Sequence, residues 1–547
     1  MDTNDRIGRH HPILQIFTLI KFVLPVVFSI FSLRLTHNFA FCGVVLAESL
    51  IVFLLTDIIA AWNAVVAWVV GVILMFTVYA QTATLVFTGG YVQLIMLTNL
   101  DSLEALSGRS VQYGLVVALS IIALLLPVTY IRLKFTKHSV LVLLACLLSV
   151  CWVPFVFRLY SPYANLVILI RKFQFRSATE QRIRDMMGED SSTFLAEFYN
   201  ESIGDGIERP TDLPEQPNVV LIFIEGLSMD VVNNPREIMP NVAYYMDRSL
   251  HFENYYDHTA ATFRGIIGQL YSSHQYNNGD TNVLVSIQSI LQDEGYETSF
   301  INSEPNNPIF TEYLASMGFM NLTSGGIEDQ VLTDAQTYQT VLDTLVSGAS
   351  TGAPQFVVTY TFGTHVGNNS PSDEFGDGSN WLLNRFHCCD AAFGQFMEGL
   401  HESGLGENTL VVFTADHATY VDDEYILTFY PEYARYDSFC DTMPLMFYYE
   451  RINPETVDAC GRNSLDLAPT LLDYLDVDSP NYFLGSSLFG PAEDELVETV
   501  FFIPDGAGNC YTGEEELRRF TDEELADYMA YIERYLALTE RTDNPVP

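Results

Sequence analysis

Long unbroken apolar runs fill the first third of the chain, and short apolar runs separated by polar stretches fill the rest. Five early runs, near 13–33, 40–62, 64–88, 111–131 and 139–157, reach the roughly 20 residues that a helix needs to cross a bilayer. They predict an α-helical transmembrane bundle of five spans over residues 1–157. The first run contains Pro25 and lacks a small-residue cleavage site, so it reads as a span and not as a removable leader. Lys21, Glu48 and Asp57 fall inside these runs. Charges at that depth are costly and often paired or functional, and Lys21 and Asp57 read as snorkelling toward the interfaces.

Beyond residue 157 the pattern changes. The stretch LVILIRKFQFRSATEQRIRDMM is amphipathic and basic at its start, which suits a helix lying on the membrane surface. With the polar, Pro-bearing ERPTDLPEQP after it, it makes 158–215 a connector. From 217 onward, VVLIFI (219–224), ETSFIN (297–302), QFVVTYTF (355–362) and TLVVFTA (409–415) read as buried strands, with helical stretches at 281–294, 333–347 and 385–403 between them. Alternation of this kind predicts an α/β domain with a central, mostly parallel sheet over 216–492. The remainder, 493–547, reads as an acidic helical extension built on TGEEELRRFTDEELADYMAYIERYLALTE.

Charge sets the orientation. Arg6 and Arg9 precede the first span, and Arg132, Lys134 and Lys137 fill the loop between spans four and five, whereas the 89–110 loop carries Asp101, Glu104 and only Arg109. The positive-inside rule then predicts a multi-pass protein of the cell membrane with a cytoplasmic N terminus and an extracytoplasmic α/β domain. The formal net charge is −42, and all four lysines lie before residue 173. So acidic an outer domain excludes nucleic acid as a partner. Cys388, Cys389, Cys440, Cys460 and Cys510 are an odd set, allowing at most two internal disulfides, and no zinc-type Cys/His cluster occurs.

Candidate chemistry gathers at the strand ends, where parallel sheets place ligands. Glu225 follows VVLIFI, the pair Asp416-His417 follows TLVVFTA, His365 follows QFVVTYTF, and Thr262 lies on the Gly-containing segment HTAATFRGIIGQ. A threonine hydroxyl is a weak nucleophile and needs a base, a depressed pKa or a metal. Glu225, Asp416 and His417, with Thr262 as a fourth ligand, suit one divalent cation: Mn²⁺ is favoured, and Zn²⁺ or Mg²⁺ also fit. The cation would lower the hydroxyl pKa and stabilise charge on a phosphoryl oxygen.

The segments PNVVLIFIEGLS, IMPNVAYYMDRSLHFENYYDHTAATFRG, VVFTADH and SLDLAPTLLDYL…FLGSSLFG resemble the alkaline phosphatase/sulfatase superfamily. With five spans in front, the layout is similar to the membrane phosphoglycerol and phosphoethanolamine transferases, lipoteichoic acid synthases above all. That resemblance implies transfer of a phospholipid head-group phosphate, through a phospho-threonine at Thr262, to a cell-surface glycan or polymer. It implies metal ligation by Glu225, Asp416 and His417, and a substrate-site role for His365, which could protonate a leaving oxygen or bind phosphate. Thr259 is the rival nucleophile. Thr262 is preferred because Thr262-x-x-Gly265 is similar to the phosphoglycerol transferase pattern, in which the threonine opens a helix whose N terminus favours phosphate. Arg264 is placed to clamp a phosphoryl oxygen. After ETSFIN, lipoteichoic acid synthases carry a His and a Trp-Asn-Arg run for glycerol phosphate; here Asn302 and neutral or acidic residues stand in the substrate-binding position. Phosphoethanolamine transferases carry another His after the Asp-His pair, and this chain has none beyond His417. A hydrolase of the same superfamily and a non-catalytic membrane scaffold are the competing readings.

Overall fold

The computed structural model describes residues 12–98, 109–131, 140–141, 143–148, 161–187, 192–368, 372–429, 439–503, 507–510 and 517–539. They fall into two compact units, 1–174 with 421–432, and 175–420 with 433–547.

In the first unit, three helices are long and apolar enough to cross a membrane: Pro12–Thr36, Ala40–Ala60 and Ala64–Thr88. These match the first three expected spans. The fourth, Ser110–Leu125, is shorter than a full crossing. Leu126 is already extended (φ −59°, ψ 142°), because the ring of Pro127 disfavours helical backbone in the residue before it. Most of the fifth expected span, 139–157, lies outside the described residues. Side chains of Phe22, Phe28, Val45, Val52, Met75, Val78 and Tyr79 form the core between these helices. Lys21, Glu48 and Asp57 are fully buried within the unit. Lys21 lies against the face of Trp68, 5.4 Å from the ring centre, which gives its charge an aromatic partner at depth. Residues 421–432 belong to this unit too. Asp423, in the helix Asp423–Phe429, pairs with Arg34 at 3.1 Å and Arg109 at 2.5 Å, and Glu424 also pairs with Arg109.

The second unit is an α/β domain around an eight-stranded sheet. Its strands are β1 (Asn218–Ile224), β2 (Leu250–Glu253), β3 (Glu297–Ile301), β4 (Asn321–Thr323), β5 (Gln355–Thr361), β6 (Thr409–Ala415), β7 (Met446–Tyr448) and β8 (Glu455–Asp458). The order is β4-β3-β5-β1-β6-β7-β2-β8. The first five run parallel, β7 is antiparallel to both neighbours, and β8 lies parallel to β2. Every residue of β1, β5 and β6 is buried. That is why these strands read as continuous apolar runs and not as alternating ones. The helices include α1 (Thr262–Tyr271), α2 (Asp334–Gly348), α3 (Trp381–Glu402) and α4 (Asp522–Thr539). Helix α2 starts at a full capping box, Thr333 with Gln336, which satisfies two otherwise orphaned backbone donors.

The C-terminal extension differs from the expected run of helix. Among its described residues, Val500–Ile503, Ala507–Cys510 and Arg518–Arg519 form a small antiparallel sheet, between a short helix Glu495–Glu498 and α4. Helix α4 buries Tyr528, Ile532, Tyr535 and Leu536 in a cluster with Phe198, Tyr482 and Phe502. The extension is therefore part of the domain's packed structure.

Candidate active site

Ile224 of β1 is in register with Ala415 of β6 and Thr361 of β5. The residues just past these strands are thereby brought to one edge of the sheet. Glu225, Asp416 and His417 meet there, buried, with one potential ligand atom from each lying within 4.8 Å of the others. His417 Nε2 lies 3.4 Å from Glu225 Oε1 and 3.6 Å from Asp416 Oδ2. Asp416 Oδ1 is already used, accepting from the backbone N–H of Gly226 and of His417, each at 2.8 Å. His417 Nδ1 faces the Ala418 carbonyl at 2.8 Å. A proton on Nδ1 completes that bond and leaves Nε2 as a lone pair, the tautomer suited to a metal.

Asp416 Oδ2 and His417 Nε2 are buried without a hydrogen-bond partner, a condition that costs stability unless something else binds there. The electrostatics agree. Burial, followed by the charge of Glu225, pushes the Asp416 carboxyl up. Burial would raise Glu225 as well, but the adjacent His417 imidazole holds it well below the usual carboxylate range. Burial would lower His417, and the two carboxylates hold it above its ordinary value. Two carboxylates and an imidazole nitrogen that converge in this way form a donor set that a divalent cation satisfies.

Thr262 is the first residue of α1, and its Oγ1 donates to Glu225 Oε2 at 2.9 Å. Thr259 is instead turned away: its hydroxyl is buried and bonded to the Phe502 carbonyl at 2.7 Å. The chain reaches Thr262 through Ala261 at φ 83°, ψ 136°. An alanine there costs of order 1–3 kcal/mol and persists only where its surroundings impose it. Gly265 is required one turn later, because a Cβ at that position would lie 2.1 Å from the Asp416 carbonyl oxygen. Gln269 Nε2 ties the same helix to the Ala415 carbonyl at 2.9 Å. The pattern Thr-x-x-Gly thus has a direct physical reading. The glycine lets the helix N terminus press against the end of β6, and that contact sets the hydroxyl beside Glu225, Asp416 and His417.

His365 lies past β5, stacked on Phe362 with ring centres 4.8 Å apart, and its Nδ1 faces the Val366 carbonyl at 3.1 Å. Burial lowers its pKa, the charge of Glu225 pulls it up, and Arg385 and His417 push it down. Arg264 is buried, and its guanidinium donates to the Ala260 carbonyl through Nε and Nη2, so it braces the strained segment ahead of Thr262. Asn302 spends its side chain on its own neighbourhood, donating to Thr311 Oγ1 in the helix Pro308–Ala315 and accepting from the Glu304 N–H, each at 2.9 Å.

Several residues around the site escaped the sequence reading. Tyr360 donates to Glu225 Oε2 at 2.7 Å, and Thr364 donates to the Glu225 carbonyl at 2.6 Å. Tyr420 stacks on the His417 ring at 4.5 Å. Buried Asp257 accepts from the N–H of Ala418 and of Asp441, fixing the loop after the Asp-His pair. Arg385, buried on α3, lies near enough to act on His365. Tyr360 carried a faint signal as a polar-tipped residue in a strand buried on both faces.

Residues 217–477 match the family model described as Sulfatase. The match covers most of the α/β domain and none of the apolar helices before it. Among solved structures it is similar to an alkaline phosphatase superfamily protein from Vibrio parahaemolyticus, at 18% identity and a TM-score of 0.49, over 65% of this chain and 95% of that one. It is also similar to the lipoteichoic acid synthase LtaP from Listeria monocytogenes, at 12% identity and a TM-score of 0.46, over 67% and 98%. A third is the phosphonate monoester hydrolase SpPMH from Silicibacter pomeroyi, at 15% identity and a TM-score of 0.38, over 59% and 94%. No match was found among curated proteins. The sulfatase-type domain thus accounts for the strand-end placement of the acids, and the chemistry it performs depends on the residues present.

Proposed function

We propose that this protein is a membrane-bound, metal-dependent phosphotransferase that moves a phospholipid head-group phosphate to a hydroxyl of a cell-surface glycan or polymer. The observation that carries the reading is the Thr262 hydroxyl, held 2.9 Å from Glu225 beside two unfilled ligand atoms at a helix N terminus. Glu225, Asp416, His417 and Thr262 would hold one divalent cation, with Mn²⁺ favoured. When bound, such a cation lowers the hydroxyl pKa and offsets charge on the phosphoryl oxygens.

The chain's own groups then have defined tasks. Thr262 Oγ forms a bond to phosphorus as the bond from phosphorus to the diacylglycerol oxygen breaks. The hydroxyl proton leaves toward Glu225 Oε2, and His365 gives a proton to the departing oxygen. In the second step an acceptor hydroxyl attacks the phospho-threonine as the bond from phosphorus to Thr262 Oγ breaks; the acceptor's proton passes to His365, and Glu225 returns its proton to Thr262 Oγ. Arg264 keeps the Thr262 backbone in place, and Arg385 adds positive charge near His365. A sulfatase reaction is disfavoured because no cysteine lies between 151 and 388 to serve as the precursor of a formylglycine. The apolar helices keep the enzyme in the membrane that supplies its donor, with the N terminus cytoplasmic and the domain outside by the positive-inside rule.

Intact-mass analysis of the purified protein with Mn²⁺ and a panel of phospholipids tests this. The expected result is a mass gain that is lost in Thr262→Ala and kept in Thr259→Ala. Free head-group phosphate with no adduct would replace the transferase by a hydrolase, and neither adduct nor release would favour the scaffold.

A further inference from the structure

The two oxygens of Glu225 have different surroundings. Oε2 accepts from the Thr262 hydroxyl at 2.9 Å and from the Tyr360 hydroxyl at 2.7 Å. A carboxylate oxygen offers about two lone-pair sites, so these two donors fill it. Oε1 is the oxygen beside His417, 3.4 Å from Nε2. Thr364 fixes the backbone of Glu225, donating to its carbonyl at 2.6 Å, but the end of a glutamate side chain still turns easily about its last bond. Thr262 cannot hold that end in place during the reaction, because its own proton is the one that leaves. Tyr360 can, and its position follows from the register. Phe223 of β1 lies beside Tyr360 of β5, side chains along a strand alternate between faces, and Glu225 is two residues beyond Phe223. The buried Tyr360 ring packs edge to face on Phe310, with centres 5.5 Å apart, and Phe310 packs on Phe263 at 5.2 Å. Phe263 is the next residue after Thr262, so an aromatic arm through Phe310 and a polar arm through Glu225 both join Tyr360 to the nucleophile's turn of helix.

We propose that Tyr360 is a positioning residue that divides the work of the Glu225 carboxylate: its hydroxyl holds Oε2 for the Thr262 proton and leaves Oε1 for the cation. This rests on the metal-dependent phosphotransferase reading above. Partners of this kind, one step removed from the cation, set the orientation of the ligands that touch it. A phenylalanine at 360 keeps the ring packing and the strand register and removes only the donor. Oε2 then has a free lone pair, and the carboxylate can turn both oxygens toward the cation, drawing Oε2 away from Thr262.

The test loads the full-length protein with Mn²⁺ alone and records the electron paramagnetic resonance line shape of the bound ion, which responds to the number and symmetry of its ligands. Adduct formation on Thr262 is then timed by intact mass. Tyr360→Phe is expected to change the line shape and to slow the adduct by about 10- to 100-fold. Tyr338→Phe is the control, removing another buried phenol hydroxyl, from the packing of α2 on Phe393 and Phe396. It should match the wild type in both measurements. A wild-type line shape in Tyr360→Phe would overturn the proposal whatever the rate, because the hydroxyl would then have no hold on how Glu225 meets the ion. The same change in both tyrosine variants would also overturn it, since it would mark a general loss of packing. A wild-type protein that forms no adduct from any phospholipid, with the line-shape change still confined to Tyr360→Phe, would refute the transferase and support the assignment of Tyr360. A wild-type protein that binds no Mn²⁺ would remove both.

Discussion

Gly265→Ala is the sharpest probe of how the nucleophile is held. The added Cβ would lie 2.1 Å from the Asp416 carbonyl oxygen and 2.8 Å from its carbon, whereas real Cβ contacts essentially never fall below 3.0 Å. Both obstacles are backbone, so no side-chain rotation relieves them. The N-terminal turn of α1 and the end of β6 must separate by at least about 0.9 Å. That movement acts directly on the 2.9 Å bond between Thr262 and Glu225. Overpacking of this kind costs about 1–3 kcal/mol of stability. A displacement near 1 Å at reacting atoms costs about 100-fold in rate. Gly279→Ala is the control, since nothing lies within 4 Å of a Cβ there. The assay pairs thermal unfolding with the rate of adduct formation on Thr262. A Gly265→Ala protein that forms the adduct at the wild-type rate would refute the claim that this close approach positions the hydroxyl.

Other consequences follow from the same structure. Asp416→Ala should remove divalent-cation binding measured by calorimetry and abolish the adduct, and chelation of the wild type should do the same reversibly. Burial lowers His258 to about 3 and His274 well below its ordinary value. Their unfolded forms take up protons below about pH 6.5, so stability should fall as pH drops through that point, by up to about 1.4 kcal/mol per pH unit for each group. His258→Gln should flatten that acid limb in urea titrations; a wild-type slope would show that the histidine is not the cause. The net charge of −42 destabilises the folded domain by self-repulsion. Unfolding temperature should therefore rise between about 0.01 M and 1 M salt, as the screening length drops from about 30 Å to about 3 Å.

Much of this was legible in the chain itself. Strands β1, β5 and β6 appear as short, largely apolar runs because each is buried within a parallel sheet, and Glu225 and Asp416-His417 stand out as the first charged or titratable residues past β1 and β6. The three long apolar helices were equally plain, because a bilayer sets a length requirement that composition alone can meet. Other features depended on distant contacts. Thr259 and Thr262 are chemically alike in sequence, and only the packing of Phe502 against one and Glu225 against the other separates them. Tyr360 lies 135 positions from Glu225 and reaches it because β1 and β5 pair side by side in register. The C-terminal segment has helical charge and spacing, yet part of it forms strands, since local propensity yields to the pairing and burial that the folded domain offers. Local pattern determined which elements form and where their polar ends fall. The sheet order and the contact at Gly265 decided which of those ends meet, because catalytic geometry is a matter of long-range register that a linear pattern does not encode.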